Sequence, residues 1–322
     1  MDTREKIIKL IKEKGQITAN EIAEYLDISR QALYKHLPDM LSGKQIIKTG
    51  RPPKVFYTLK EKESEKTSHE VDNETKNIID KNYFTITPSG EKMEGFAGFV
   101  YWCEKQKLPI EKTAKEYLVT LKKYSGFRKD DLIDGMQKMK GTFKDLYLDD
   151  VYYLDFYSIE RFGKTKLGQM LLYAKQSQSR RLMKELIDDV RPAILKMIKK
   201  FNINGVGFVQ PTVKREVQFM NELKKKLNLP VKEITITKIK TDIIIPQKTL
   251  NKLNDRIENA QKTFALEESG HFNNILLVDD AVGSGATLNE IAKKIKDKRI
   301  AKKVIGLAIT GSFKGFDVIS EV

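Results

Sequence analysis

The spacing of apolar positions changes along the chain, and the first sixty residues show helical spacing three times before turning strand-like. Thr18 and Ser29 stand directly before the second and third helical patterns, where side-chain caps are expected. Residues 45–49 and 54–59 alternate apolar and polar positions and are separated by a Gly-Arg-Pro-Pro turn. The pattern therefore predicts three helices and a β-hairpin over residues 1–60.

From residue 149 to residue 322, strand-like and helix-like segments alternate. This alternation predicts an α/β fold with a doubly wound, mostly parallel sheet and helices on both faces. A break is expected in one long helical pattern at Arg191-Pro192, because proline removes a helical donor. The predicted strands are 151–156, 205–209, 231–236, 275–278 and 303–309, and the predicted helices are 167–199, 216–227 and 289–295.

Two segments separate these regions. Residues 61–82 begin with a run of mixed charge without apolar side chains, which predicts a polar linker. Residues 83–148 form a helical middle region, with helical spacing from Phe96 to about Met139. Its aromatic residues, Trp102 among them, are interpreted as amphipathic core in preference to a ligand cage.

Composition limits the cellular setting and the chemistry. The chain has 322 residues and a net charge of +15, which favours anionic partners, nucleic acid first. No apolar run is long enough to span a membrane, and the start lacks a secretory segment. The single Cys103 argues for a reducing, cytoplasmic location. Three scattered histidines predict no protein metal site, so we expect any metal to be Mg²⁺ arriving with a phosphorylated ligand.

The segment 275–288 carries the clearest chemistry. An apolar run ends in Asp279-Asp280, passes a loop of small residues and enters a helical pattern. Backbone N–H groups at a helix start bind anions, and Gly283 and Gly285 allow close approach of a phosphate. Ser284 and Thr287 can add hydroxyl donors, while carboxylates accept hydrogen bonds from ribose hydroxyls. This order predicts a phosphoribosyl-binding loop.

The same segment resembles the phosphoribosyl-pyrophosphate (PRPP) loop of type I phosphoribosyltransferases, in which Asp-Asp precedes two variable residues and Thr-Thr-Gly-x-Thr. The resemblance implies the type I phosphoribosyltransferase fold, with Mg²⁺ bound alongside PRPP. It assigns Asp279 and Asp280 as catalytic carboxylates. It also assigns phosphate binding to the loop that follows them: Ala281, Val282, Gly283, Ser284, Gly285, Ala286 and Thr287.

Residues 238–264 resemble the segment before this loop in ComF-type phosphoribosyltransferases, on Thr241, Gln247, Leu250, Arg256, Asn259 and Phe264. In type I enzymes this region is a mobile flap over the ligand, which makes Lys240, Gln247 and Arg256 candidates for ligand contact or closure; the alternative is ordinary helix surface. The family's four-cysteine module and its Arg-Gly-Phe-Asn motif are absent. The corresponding pyrophosphate loop here carries Thr212, Lys214 and Arg215, whose charges and hydroxyl suit a pyrophosphate.

The first sixty residues resemble the winged helix-turn-helix of bacterial transcription regulators, from Ile17 to Leu37. The resemblance implies that the third helix enters the major groove of double-stranded DNA and that the hairpin is a wing. Ala32, Leu33 and Leu37 are expected in the core. The residues expected to contact DNA are Arg30, Gln31, Tyr34, Lys35, Lys48, Arg51 and Lys54. The alternative is a winged helix used for protein contacts.

Three functions follow from these resemblances. The first, which we favour, is a DNA-binding regulator whose phosphoribosyltransferase-like domain binds PRPP or a nucleotide. The second is a working phosphoribosyltransferase acting on an unidentified acceptor, and the third is a ComF-like protein that handles incoming DNA. No general base stands out near the loop, which weakens the second. Because the linker is too polar to transmit strain, a regulator is expected to act through rearrangement of a homodimer.

Overall fold

We describe the protein from a computed structural model. The described residues are 2–51, 54–59, 71–211, 213–239, 243, 245–268 and 270–312. The chain divides into two compact units, residues 1–69 and residues 70–322. Most of the predicted linker, residues 60–70, lies outside the described residues, as do Pro52 and Pro53 at the hairpin tip. None of the described helices is both long enough and apolar enough to cross a membrane.

The first unit contains three helices and a small antiparallel sheet, so the predicted helices and hairpin are confirmed. A short strand before the second helix was missed; it pairs with the second hairpin strand, giving the order β1-β3-β2. The elements are α1 Thr3–Lys14, β1 Gln16–Thr18, α2 Ala19–Tyr25, α3 Arg30–Ser42, β2 Ile46–Arg51 and β3 Lys54–Leu59.

The predicted caps set the helix starts of this unit. The backbone N–H of Glu21 donates to Thr18 Oγ1 at 3.3 Å, and the Glu21 carboxylate accepts from the Thr18 N–H at 2.7 Å. Ser29 Oγ accepts from Ala32 N at 3.1 Å. These bonds satisfy N–H groups that a helix start leaves without partners. Leu33 and Leu37 are buried as predicted, in a core formed within this unit.

The second unit is built on a seven-stranded sheet surrounded by helices. Short 3₁₀ turns occur at Glu160–Phe162 and Gln247–Thr249. Its elements are α4 Asn73–Asn82, β4 Phe84–Ile86, β5 Lys92–Glu94, α5 Gly95–Lys105, α6 Ile110–Ser125, β6 Arg128–Lys129, β7 Leu132–Asp134, α7 Met136–Thr142, β8 Asp150–Phe156, α8 Lys166–Ser177, α9 Arg180–Lys200, β9 Gly205–Phe208, α10 Phe219–Leu227, β10 Lys232–Glu233, β11 Ile236–Lys238, α11 Leu253–Thr263, β12 Phe264–Leu266, β13 Phe272–Val282, α12 Ala286–Asp297 and β14 Ala301–Gly311.

The large sheet has the order β10-β9-β13-β14-β8-β7-β6. The five strands from β10 to β8 are parallel, and β7 and β6 add an antiparallel edge. The mostly parallel sheet predicted from the sequence is therefore confirmed. Its central strands β13 and β14 are buried on both faces, which explains their nearly continuous apolar sequences.

Alternate residues of these strands enter two separate cores. Ile275 and Leu277 of β13 pack in a core with α12, α5 and α6. Leu276 and Val278 pack on the other face with α8, α9 and α10. Helices therefore cover both faces, and the carboxyl ends of β9, β13, β14 and β8 lie along one side of the sheet.

The structure corrects three sequence predictions. Residues 73–82 of the predicted linker form α4, whose Ile79 is fully buried. Residues 128–134, predicted helical, form the β6–β7 hairpin because Asp130 and Asp131 both adopt positive φ, the geometry of a tight two-residue turn. The helical break falls at Gln178, which is left-handed, and not at Pro192, which lies inside the continuous helix α9.

The helical middle region packs against the sheet within the same compact unit. Trp102 lies 5.9 Å from Phe162 and 6.0 Å from Phe99, measured between ring centroids, so the aromatic cluster is core as predicted. The antiparallel strands β6 and β7 extend the sheet itself. Residues 83–148 therefore supply one layer of the α/β unit.

Because the first unit has its own core, a core mutation there should destabilise that unit and leave the second unit unchanged. Leu37 is 1% exposed, so Leu37→Ala should destabilise residues 2–59 by about 2–5 kcal/mol through lost packing. Hydrogen exchange should speed up in α1–α3 and stay unchanged in β13 and β14. Tyr25→Ala, at a side chain that is 62% exposed, is the control and should change neither. Equal loss of protection in both units would contradict separate cores.

Candidate functional site

A cleft of about 190 Å³ opens at the carboxyl edge of the sheet, beside the end of β13. It is lined by the whole segment from Asp279 to Leu288, together with residues from the segments after β9 and before α11. Arg215, Gln247 and Arg256, which the sequence analysis selected from distant segments, all contribute to its walls. The cleft therefore joins the predicted loop to parts of both predicted flanking segments.

The two carboxylates at the end of β13 face different layers of the fold, since successive side chains of a strand point to opposite faces. Asp280 accepts from Lys175 Nζ of α8 at 2.6 Å, and these side chains are only 16% and 13% exposed. Asp279 lies in the field of Lys238 on β11, on the opposite face. Each acid is thus set against a lysine from a different layer.

Burial shifts the pKa of Asp279 and the pKa of Lys238. Burial, and then the neighbouring charge of Asp280, raise the pKa of the Asp279 carboxyl, while Lys175 and Lys238 oppose the rise. Burial lowers the pKa of Lys238 to about 8, and its Nζ lies 4.4 Å from the centroid of the Phe264 ring. The site therefore holds titratable groups whose pKa values are moved toward neutrality, a property common in ligand-binding sites.

The turn after β13 has the geometry expected of an anion site. Gly285 has φ +83° and precedes α12, whose first residues Ala286 and Thr287 line the cleft and whose first N–H groups lack partners within the helix. Ser284 is buried, and its Oγ accepts from Ala286 N at 3.3 Å. Ser284 thus stabilises the turn as an acceptor, and this bond does not use the hydroxyl proton that was predicted to be donated to a ligand. Thr287 is half-buried in the cleft wall.

Helix α7 contacts this loop and donates a hydrogen bond to it. Lys138 Nζ donates to the Gly283 carbonyl at 2.6 Å and to the Ser312 carbonyl at 3.3 Å, which joins the loop to the end of β14. Gly285 has positive φ, which favours glycine, and a Cβ there would lie 2.5 Å from Met139 Sδ, so any larger residue would also have to displace the end of that side chain. The middle region therefore fixes the shape of the loop.

The predicted pyrophosphate loop is only partly in the cleft. Arg215 lines it, whereas Lys214 is exposed and is not among the lining residues; Thr212 lies outside the described residues. Neighbouring side chains in an extended loop point apart, which separates the two basic residues. The loop is anchored to the end of α8, because Val217 N donates to Gln178 Oε1 at 2.8 Å.

The predicted flap residues Gln247 and Arg256 make hydrogen bonds within their own segment. Gln247 Nε2 donates to the Arg256 carbonyl at 2.9 Å, and Arg256 Nε donates to the Leu250 carbonyl at 2.7 Å. Arg256 is 4% exposed, and burial lowers its pKa. These contacts give both residues a structural role at the cleft wall. Lys240 lies outside the described residues.

In the first unit, one face of α3 is open to solvent. Arg30, Gln31, Tyr34 and Lys35 are exposed on it, while Leu33 and Leu37 face the core. Lys48 is exposed on β2. Arg51 and Lys54 form the last residue pair of the hairpin, and their side chains lie outside the described residues.

Sequence reasoning missed three lysines of the site: Lys138, Lys175 and Lys238. One local signal existed for Lys175, which lies four residues after buried Leu171 and so on the buried stripe of α8. Lys138 and Lys238 meet the loop only through tertiary packing. Among the described residues, no group of three or more His, Cys, Asp or Glu side chains is arranged to hold a metal ion.

Comparisons with known proteins give a family match and structural matches. Residues 3–47 match the family model described as a helix-turn-helix domain. A crystal structure of a hypoxanthine phosphoribosyltransferase from Staphylococcus aureus is similar at 12% identity, covering 41% of this chain and 67% of that chain, with a TM-score of 0.27. A TM-score this low supports no argument about fold or activity. No curated protein matches the chain.

The Lys175–Asp280 pair predicts a stability effect. Lys175→Met leaves a mostly buried carboxylate beside Asp279, and should lower the free energy of unfolding by about 2–3 kcal/mol, less than for a fully buried pair. Denaturant unfolding of the variant and the wild type measures the loss.

The matched control is Lys184→Met, which removes the exposed partner of Asp188 on α9 and should cost much less, because solvent screens an exposed pair. Adding Asp280→Asn to Lys175→Met should restore most of the lost stability, because the neutral amide needs no counter-charge. An equal effect of Lys175→Met and Lys184→Met would contradict a buried pair.

Proposed function

We propose that the protein is a DNA-binding regulator whose α/β unit binds PRPP or a nucleotide at the cleft beside β13. The observation that carries the proposal is the convergence in one cleft of Asp279, Asp280, the Gly283–Thr287 turn and Arg215. The helix-turn-helix match supports the DNA-binding half. The resemblance of the loop to the PRPP loop of type I phosphoribosyltransferases supplies the ligand class.

The charge arrangement favours a phosphorylated sugar. The 5′-phosphate would bind the N–H groups of the turn before α12, where the helix dipole favours an anion. Asp279 and Asp280 would accept hydrogen bonds from ribose hydroxyls, and Arg215 would neutralise a pyrophosphate. Asp280 is already paired with Lys175, so Mg²⁺ would arrive with the phosphorylated ligand, where it would offset the negative charge of the phosphates.

The exposed face of α3 supports duplex binding. Arg30, Gln31, Tyr34 and Lys35 are side chains that reach bases or phosphates when a recognition helix lies in the major groove. Lys48 on β2 and the basic residues Arg51 and Lys54 give the hairpin the charge of a wing. The net charge of +15 adds a favourable field for any polyanion.

The second candidate is a catalytically active phosphoribosyltransferase. It is favoured by the same carboxylates lining the cleft with Arg215, a set that also suits departure of pyrophosphate from the ribose carbon. Release of pyrophosphate from Mg²⁺-PRPP in the presence of a base or other acceptor identifies this activity. Binding of PRPP without pyrophosphate release over an acceptor panel favours the regulator.

The proposed binding of PRPP at the loop after β13 is tested by isothermal titration with Mg²⁺-PRPP. Asp280→Asn should weaken binding by about tenfold or more, since it removes a charged acceptor for the ribose. The matched control is Asp297→Asn, the same change at the exposed far end of α12, which should leave affinity unchanged. Equal affinity in the wild type and Asp280→Asn would refute phosphoribosyl binding at this loop.

The DNA half is tested by duplex binding over a range of salt concentrations. Lys35→Ala should weaken binding to all sequences and reduce the log–log salt slope by about 1, the value for one phosphate contact. Gln31→Ala should instead change sequence preference. Lys9→Ala, at an exposed lysine of α1, is the control. A chain lacking residues 1–69 that binds duplex as tightly as the whole protein would refute this assignment.

A further inference from the structure

A second and larger cavity, of about 480 Å³, lies at the same carboxyl edge of the sheet. It is bounded by α4 and α6, by the start of α8 and by the end of β8. Its volume falls within the range of about 300–1,000 Å³ typical of small-molecule sites. The phosphoribosyl chemistry proposed above makes no use of it.

The strand register of the sheet places this cavity close to the candidate loop after β13. Asp155 on β8 pairs with Thr310 on β14, which pairs with Ala281 on β13. Two strand spacings separate Asp155 from Ala281, so their backbones lie about 10 Å apart. Parallel sheets of this kind bind ligands along this edge.

An ion pair between the mostly buried Asp155 and the exposed Arg128 forms part of the polar cavity wall. Asp155 Oδ1 accepts from Arg128 Nη2 at 3.0 Å and from the Phe156 backbone N–H at 2.9 Å. Its side chain is 21% exposed, and burial raises the pKa of the carboxyl while Arg128 opposes the rise. A carboxylate in this position offers an acceptor to a ligand that carries N–H or O–H groups.

The remaining wall combines apolar surface with positive charge. Tyr117, Leu118, Leu121 and Tyr124 of α6 present rings and aliphatic groups to one side. Lys122 and Lys166 stand at the rim and, with Arg128, outnumber the single acid of the lining. An apolar wall, an internal acceptor and a basic rim match a molecule with a planar apolar body, a donor at one end and an anionic group at the other.

We propose that this cavity is a second ligand site, which binds a nucleoside 5′-monophosphate, with the base against α6 and near Asp155 and the phosphate near Lys122 and Lys166. The site is separate from the loop at β13. Helix α8 connects the two, since Lys166 at its first residue lines this cavity and Lys175 near its end pairs with Asp280.

The test is isothermal titration of the whole protein with AMP, GMP, CMP and UMP, and with inorganic phosphate and adenosine as partial probes. At least one monophosphate should bind wild type and Asp280→Asn alike, and more tightly than either partial probe. Lys122→Glu should weaken this binding by about tenfold or more, since it reverses a charge at the rim. Asp155→Asn should change the preference among bases.

The matched control is Lys112→Glu, an identical charge change at an exposed position two to three turns earlier on α6, which should leave binding unchanged. The proposal is overturned if no monophosphate binds at millimolar concentration. It is also overturned if both lysine variants weaken binding equally, which indicates non-specific attraction, or if binding is lost in Asp280→Asn and kept in Lys122→Glu. The last result would assign the nucleotide to the loop at β13.

Discussion

The placement of two adjacent carboxyl groups at the end of one buried strand is the constraint on which the candidate site depends. Strand β13 is buried on both faces, and Asp279 and Asp280 at its end are partly shielded from water where they line the cleft. Lys175 of α8 pairs with Asp280, and the charge of Lys238 on β11 acts on Asp279 from the other face. Positive charge on both faces of the sheet therefore offsets the cost of bringing two carboxyl groups together at this position.

The shape of the loop after β13 depends on α7 and on the segment between α7 and β8, which precede the alternating strands and helices in the chain. Lys138 and Met139 of α7 hold Gly283 and Gly285 from behind, and Asn289 of α12 bonds the backbone of Tyr147 and Asp145. The segment before β8 is therefore a structural part of the loop. A phosphate site formed by backbone groups needs such support, because its geometry is set by the backbone alone.

Local signals explain what the sequence could predict. Apolar spacing and caps located α2, α3, β13 and α12, because these elements are fixed by neighbouring residues. The Arg128–Asp134 hairpin was taken for helix, since its tight turn depends on positive φ at two aspartates, which spacing does not reveal. Lys175 was missed because its partner lies 105 residues away, a distance that only the tertiary fold closes.

In the function proposed above, the DNA-binding unit and the phosphoribosyl-binding cleft belong to one chain, and a ligand at either should change the affinity of the other. The direct test is fluorescence anisotropy of a labelled target duplex with and without saturating Mg²⁺-PRPP. PRPP should change the DNA affinity of the wild type by roughly 5- to 150-fold, the range of typical coupling energies, and should not change that of Asp280→Asn. Identical binding curves in all cases, together with pyrophosphate release in the presence of an acceptor base, would contradict a regulator and identify an enzyme.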